Sequence, residues 1–214
     1  MELSKYIDHT LLKATAQAKD IKKLCSEAID YNFYAVCVNG CYVSLAKNEL
    51  KNTAVKVAAV IGFPLGAMTT EAKVLETQKC IEDGADEIDM VINIGKLQSG
   101  NFQYVENEIA AIKIATGKIP LKVIIETCYL SEEEKKTACN LAMNVGADFV
   151  KTSTGFGTGG ATLEDVKLMK SVVGDRLKIK ASGGIKDTKT ALEYVALGIS
   201  RIGTSSGIAI VTSK

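Results

Sequence analysis

The sequence predicts an α/β protein, a single (β/α)8 TIM barrel, and three observations carry that expectation. Short β-branched apolar runs alternate with longer stretches of helical period, the clear runs start 22 to 35 residues apart, and several helical stretches end in the same glycine punctuation. One strand, one helix and two short loops occupy about that much chain.

In chain order, the faintest strand signal is KYIDHTLL (5–12), just before the first long helical stretch. The clear ones follow: YAVCV (34–38), KVAAVI (56–61), EIDMVI (87–92), KVIIE (122–126), DFVKT (148–152), KIKAS (178–182) and SRIGT (200–204). Between them, 17–31 places Ile21, Leu24, Cys25 and Ala28 on one helical face, and 70–83 does so with Val74, Leu75, Gln78 and Ile81. GADEID (84–89), GADFVK (146–151) and GISRIG (198–203) each put a glycine where a helix stops and lead straight into a strand. An open doubly wound sheet is the structural rival, and its usual mark is a GxGxxG turn after the first strand. None stands there, and STGFGTGG (153–160) follows a late strand with different spacing.

Composition limits what such a barrel does. With 214 residues, 47% hydrophobic and 24% charged, and no Pro-rich or Ser-rich divider, residues 1–214 read as one domain. A net charge of +1, from 26 basic and 25 acidic residues, gives no field to draw nucleic acid or an anionic membrane. MELSKYIDHTLLK lacks a secretory pattern, and no apolar run approaches the roughly 20 residues of a spanning helix, so a cytoplasmic protein is expected. The six cysteines form no CxxC pair and read as reduced thiols. His9 is the one histidine, which excludes a His-rich catalytic metal site. The chemistry falls to lysines, carboxylates and hydroxyls.

Reactive groups in such barrels sit at the C-terminal ends of strands. Lys151 shares strand parity with Phe149, so both point into the barrel if the strand is central. Most strand-end lysines are solvated edge charges; this one lies in a run destined for burial on both faces. Lys180 takes the equivalent place on the next strand, and two close ammonium groups in a dry site can leave one amine free to attack a carbonyl. Asp89, among Ile88, Met90 and Val91, needs a partner, which the lysines supply either as a structural ion pair or as a proton-transfer group. SGGI (182–185) and GTSSG (203–207) fall after the seventh and eighth strands, where barrels hold phosphate esters with backbone amides. Each glycine pair alone is an ordinary turn. Together, Ser182, Gly183, Gly184, Gly203, Ser205 and Ser206 suggest a phosphorylated substrate.

Taken in order, IDHTLLK (7–13), VCVN (36–39), VIGFPLG (60–66), EIDMVINIG (87–95), IIETCYL (124–130), FVKTSTGF (149–156), IKASGGI (179–185) and GTSSG (203–207) closely resemble the deoxyribose-phosphate aldolase family over nearly the whole chain. The resemblance implies reversible cleavage of 2-deoxy-D-ribose 5-phosphate to D-glyceraldehyde 3-phosphate and acetaldehyde through a lysine imine, without cofactor. It implies Lys151 as the Schiff-base lysine, Lys180 as the second lysine and Asp89 as the proton-transfer carboxylate. Asp8 matches a position near the second lysine, where a structural hydrogen bond to the strand edge is the alternative; His9 reads as packing or hydrogen bonding. A homodimer or higher homo-oligomer is expected from the family. The sequence departs from many relatives at Ala14, Gly40 and Cys41, where loop stiffness is affected. It ends at Lys214, without the longer tyrosine-ended tail of some members; if that tail assists proton transfer, water or Asp89 is expected to do so here. The rivals are another imine-forming aldolase, such as a transaldolase or keto-sugar phosphate aldolase, and an inactive barrel that only binds a phosphorylated metabolite.

Overall fold

The computed structural model describes residues 2–213; Met1 and Lys214 lie outside them. Eight parallel strands close into a barrel in chain order: β1 Ile7–Leu11, β2 Ala35–Asn39, β3 Lys56–Ile61, β4 Glu87–Val91, β5 Leu121–Ile124, β6 Phe149–Lys151, β7 Lys178–Ser182 and β8 Arg201–Thr204. The expected (β/α)8 barrel is therefore present. The faintest strand closes it: Asp8 lies opposite Ala35 on β2 and opposite Gly203 on β8.

The helices are α1 Ala18–Asp30, α2 Val43–Glu49, α3 Thr70–Glu82, α4 Ile94–Gln98, α5 Phe102–Thr116, α6 Glu132–Asn144, α7 Leu163–Val173, α8 Thr188–Ala196 and α9 Gly207–Thr212. Thr69, Ser131, Thr162 and Asp187 start α3, α6, α7 and α8 by accepting a hydrogen bond from a first-turn amide. The predicted glycine stops hold, with φ of +103° at Gly84, +74° at Gly146 and +82° at Gly198. The aspartate of each GAD repeat then ties the turn to the next strand over. Asp86 accepts from Val57 N and Asp148 from Leu121 N, both at 2.9 Å. Among the described residues no helix is long and apolar enough to cross a membrane.

Strand alternation divides the interior in two. Outward residues such as Val36, Val57, Ile88, Val123 and Ile202 are buried beneath the helices in one large core. The opposite parity faces inward, where the register aligns Asp89 with Lys122, Ile124 with Lys151, Lys151 with Lys180, and Lys180 with Arg201. Its apolar part is small: Leu12, Cys37, Ala58 and Val60 cluster with Phe63 against them. The centre of this barrel is ionic.

The buried face of α1 is the predicted one, Ile21, Leu24, Cys25 and Ala28. For α3 the expectation fails. Its buried stripe is Lys73, Thr77 and Cys80, while Val74 and Ile81 are half-buried and Leu75 and Gln78 are exposed. The helix is turned by one residue because Lys73 has a partner that sequence periodicity does not show. Its Nζ lies 2.9 Å from Glu108 on α5 and donates to Val91 O at 2.8 Å, with both side chains fully buried. Burial pulls Lys73 below the ordinary lysine range and pushes Glu108 above the ordinary carboxylate range, each against the opposing charge of the other. Lys73→Met should therefore cost about 3–5 kcal/mol by stranding a buried carboxylate, and adding Glu108→Leu should regain most of that loss. Urea unfolding of the three proteins checks this; equal losses in the single and double variants would mean that the two charges do not act as a pair.

Candidate active site

The inward parity brings seven ionisable side chains from six strands into one connected network. Asp89 is its hub. One of its oxygens, Oδ2, lies 2.8 Å from Lys151 Nζ and 2.9 Å from Lys180 Nζ, and the other, Oδ1, lies 2.6 Å from Lys122 Nζ. Lys180 also pairs with Asp8, and Lys122 with Glu87 at 2.6 Å. Arg201 closes the network, 3.1 Å from Glu87 and 3.3 Å from Asp8, with its guanidinium stacked 3.2 Å from the centre of the Tyr34 ring. Asp8, Asp89, Lys122 and Lys180 are wholly buried, and Lys151 is 2% exposed.

Burial alone favours neutral forms, so the directions of the pKa shifts show which force wins. For Asp89, burial raises the pKa, but Lys122, Lys151 and Lys180 together hold it well below the ordinary carboxylate range. Burial likewise opposes ionisation of Asp8, and Lys180 and Arg201 overcome it. For Lys180, burial works against the charge and the Asp8 and Asp89 carboxylates outweigh it, leaving its pKa above the ordinary lysine range. Lys122 is shifted up in the same way, chiefly by Asp89 against burial. Charge pairing, not desolvation, governs this centre.

The two lysines singled out from the sequence thus meet, but on a shared carboxylate oxygen rather than bare ammonium against ammonium. Asp8 is a member of the ion network rather than a hydrogen-bond partner of the strand edge. His9 faces away, its Nε2 2.8 Å from Glu27 on α1. Lys122, Glu87 and Arg201 were not anticipated, although strand parity contains the signal: Glu87 stands two residues before Asp89.

Of these seven groups, Lys151 alone lines a cavity of about 270 Å³ at the C-terminal mouth of the barrel. The same cavity is lined by Ser182, Gly183, Gly184, Gly203, Ser205 and Ser206, and by Thr10, Thr154 and the exposed Lys13 and Lys186. The six predicted phosphate-loop residues therefore share one cavity but are not equivalent. The Ser182 hydroxyl donates to Ser153 O at 2.6 Å, and its amide donates to Thr152. The Ser206 amide donates to Thr204 Oγ1 at 2.9 Å. The amides of Gly183, Gly184 and Ser205 have no acceptor among the described residues and remain for an anion. Gly203 gives clearance, since a Cβ there would come within 2.9 Å of Ser182 Cβ and 3.1 Å of Lys180 Cε. Among the described residues no three His, Cys, Asp or Glu side chains are grouped to hold a metal ion.

The shifts fix how this network responds to pH. Asp8 and Asp89, with depressed folded pKa values, contribute stability that is whole above about pH 4 and is lost as pH falls through the folded values. Lys180 and Lys122, with raised ones, contribute fully below about pH 10 and lose it as pH rises through theirs. Urea midpoints should fall on the acid side of this window, less steeply in Asp8→Asn; an acid limb of unchanged slope would remove Asp8 from the account.

Comparison with known proteins agrees with this architecture. The model of the DeoC/LacD family aldolases matches residues 3–213. A deoxyribose-phosphate aldolase of Finegoldia magna is 61% identical over 211 residues, covering 99% of each chain. Among solved structures, one titled a putative deoxyribose-phosphate aldolase from Coccidioides immitis superposes with a TM-score of 0.96 at 40% identity, covering 98% of this chain and 84% of the other. A deoxyribose phosphate aldolase from Aeropyrum pernix, titled as tetrameric, gives 0.92 at 34% identity, covering 99% and 90%. With a lysine opening from a buried ion network into a cavity lined by free amides, and with this likeness along its length, the chain belongs to the DeoC/LacD family of aldolases.

Proposed function

We propose that this protein is a deoxyribose-phosphate aldolase, cleaving 2-deoxy-D-ribose 5-phosphate reversibly to D-glyceraldehyde 3-phosphate and acetaldehyde, with residues 1–214 acting as one domain. The observation that carries the proposal is the position of Lys151, which touches the buried network at Asp89 and lines the cavity that offers free amides.

Lys151 is also the network's least-held cation. Lys122, Lys180 and Arg201 each contact two carboxylate groups, whereas Lys151 contacts Asp89 alone. A free amine here leaves three cations facing three carboxylates. In the proposed sequence the Lys151 amine adds to the C1 aldehyde of the open-chain sugar, and the carbinolamine loses water to give a cationic imine. The C3 hydroxyl then gives up its proton, the C2–C3 bond breaks, and its electron pair is drawn toward the imine nitrogen. Glyceraldehyde 3-phosphate leaves, and an enamine remains on Lys151. Protonation at C2 and hydrolysis release acetaldehyde and the amine. The phosphate, held by Gly183, Gly184, Ser205 and the rim lysines Lys13 and Lys186, fixes which carbon faces Lys151.

Asp89 was expected to carry protons. Its low pKa favours a different emphasis: a carboxylate gripped by three ammonium groups is a weak base, and its larger effect is to stabilise the imine cation beside it. Solvent water in the cavity is the proposed proton carrier. A homo-oligomer is part of this reading, supported by the tetramer of the Aeropyrum pernix relative. So is a cytoplasmic setting, which suits the free thiols of Cys25, Cys37, Cys41, Cys80, Cys128 and Cys139.

Incubation with acetaldehyde and borohydride, followed by peptide mass mapping, should place one ethyl group on Lys151. Lys151→Ala should abolish both the adduct and the release of acetaldehyde from deoxyribose 5-phosphate. A trapped adduct on another lysine would overturn the assignment, and tight phosphate-ester binding with no adduct would mark an inactive barrel.

A further inference from the structure

Glu126 follows β5 and takes no part in the ion network, yet it is 1% exposed and adopts a left-handed backbone with φ +54°, rare for a residue with a side chain. Its carboxylate reaches the loop after β6, the one that begins directly beyond Lys151. Oε1 accepts from the Thr154 amide at 3.1 Å, and Oε2 accepts from the Thr154 hydroxyl. The loop is moulded to this contact, because a Cβ on Gly157 would lie 3.3 Å from the Glu126 carboxyl carbon and 2.8 Å from Cys128 Sγ.

Thr154 lines the same cavity as Lys151, Gly183 and Gly184. A threonine hydroxyl has one proton to donate and two lone pairs to accept with. The proton goes to Glu126, and one lone pair receives the Phe156 amide at 3.0 Å. What remains for a ligand is a single acceptor site, with nothing left to donate.

We propose that Glu126 is a positioning residue for substrate selection, orienting the Thr154 hydroxyl so that it accepts a hydrogen bond from the C4 hydroxyl of the sugar phosphate. The inference rests on the aldolase reading above. C4 lies between the bond that breaks and the phosphate-bearing carbon, and the loop that carries Thr154 runs from Lys151 to Gly155, whose Cα would lie 3.7 Å from a Cβ on Gly183. In the synthetic direction this hydroxyl belongs to the acceptor aldehyde, so the device selects acceptors that carry a hydroxyl donor beside the carbonyl. Glu126→Gln keeps the shape and reverses one contact: an amide NH2 in place of Oε2 donates to the Thr154 oxygen and releases the hydroxyl proton.

The test is condensation of acetaldehyde with D-glyceraldehyde 3-phosphate and with 3-phosphooxypropanal, which lacks that hydroxyl. The native protein should favour the hydroxylated acceptor about tenfold, mainly through KM, the size expected for one hydrogen bond. It should disfavour 3-phosphooxy-2-oxopropanal, whose carbonyl at the same carbon can only accept; Glu126→Gln, with the Thr154 proton released, should admit that third acceptor. Thr154→Val should lose the same preference and Thr154→Ser should keep it, which reads the acceptor oxygen directly even if the Glu126→Gln variant does not fold. Borohydride trapping of acetaldehyde on Lys151 in the same preparations reports an assembled site, so a failure of the aldolase reading shows as a missing adduct in the native protein. With the adduct present, an unchanged acceptor preference in Glu126→Gln or Thr154→Val would overturn the proposal.

Discussion

The structure depends on one carboxylate shared by three amines. A closed ring of eight strands leaves an interior too small for bulk water, and four cations pointing into it would be untenable by themselves. Asp89 makes them compatible by accepting from Lys122 on one oxygen and from Lys151 and Lys180 on the other. Asp8 and Glu87 extend the same solution to Arg201. Removing Asp89 would therefore damage the fold and the chemistry together, which makes it a poor residue for separating the two.

The network also explains how a buried lysine is kept both placed and reactive. Lys180 is held by two carboxylates and stays charged, so it acts as a fixed positive neighbour. Lys151 has one ionic contact and one open side. In the proposed mechanism its nitrogen becomes a cationic imine, for which the Asp89 carboxylate is already in position, and little reorganisation is needed. The amides proposed to hold the phosphate stand on loops after β7 and β8, on elements separate from the Lys151 strand. Binding groups and reacting groups can therefore vary independently, as barrel architecture generally allows.

Much of this was legible in the sequence, and the illegible parts have common causes. The strands could be read because burial on both faces demands continuous apolar runs, and a charge inside such a run, as at Lys151, Lys180 or Asp89, stands out against them. Lys122, Glu87 and Arg201 sit at the N-terminal starts of their strands, where a charge resembles a solvated strand end. Parity puts Glu87 on the face of Asp89, but closure of the ring is what makes that face the interior shared with Lys122 and Arg201. The face of α3 was misread for a related reason, since hydrophobic periodicity counts lysine as polar and cannot see Glu108 on another helix. Glu126 was invisible because its role depends on a positive φ that the residue type does not advertise.

These omissions share a physical logic that bears on the ionic centre itself. Each is a polar group buried by virtue of a partner distant in the chain: 35 residues for Lys122 and Glu87, 114 for Arg201 and Glu87, 28 for Glu126 and Thr154. Apolar burial is nearly additive along a sequence, so pattern finds it; polar burial is conditional on a second residue, so pattern alone does not. A barrel that places its reactive amine in such a conditional interior gains selectivity over which amine reacts. Any lysine can be buried only where carboxylates meet it, and the one with fewest contacts and an open side is the one available to a carbonyl. In this chain the strand register leaves that position to Lys151.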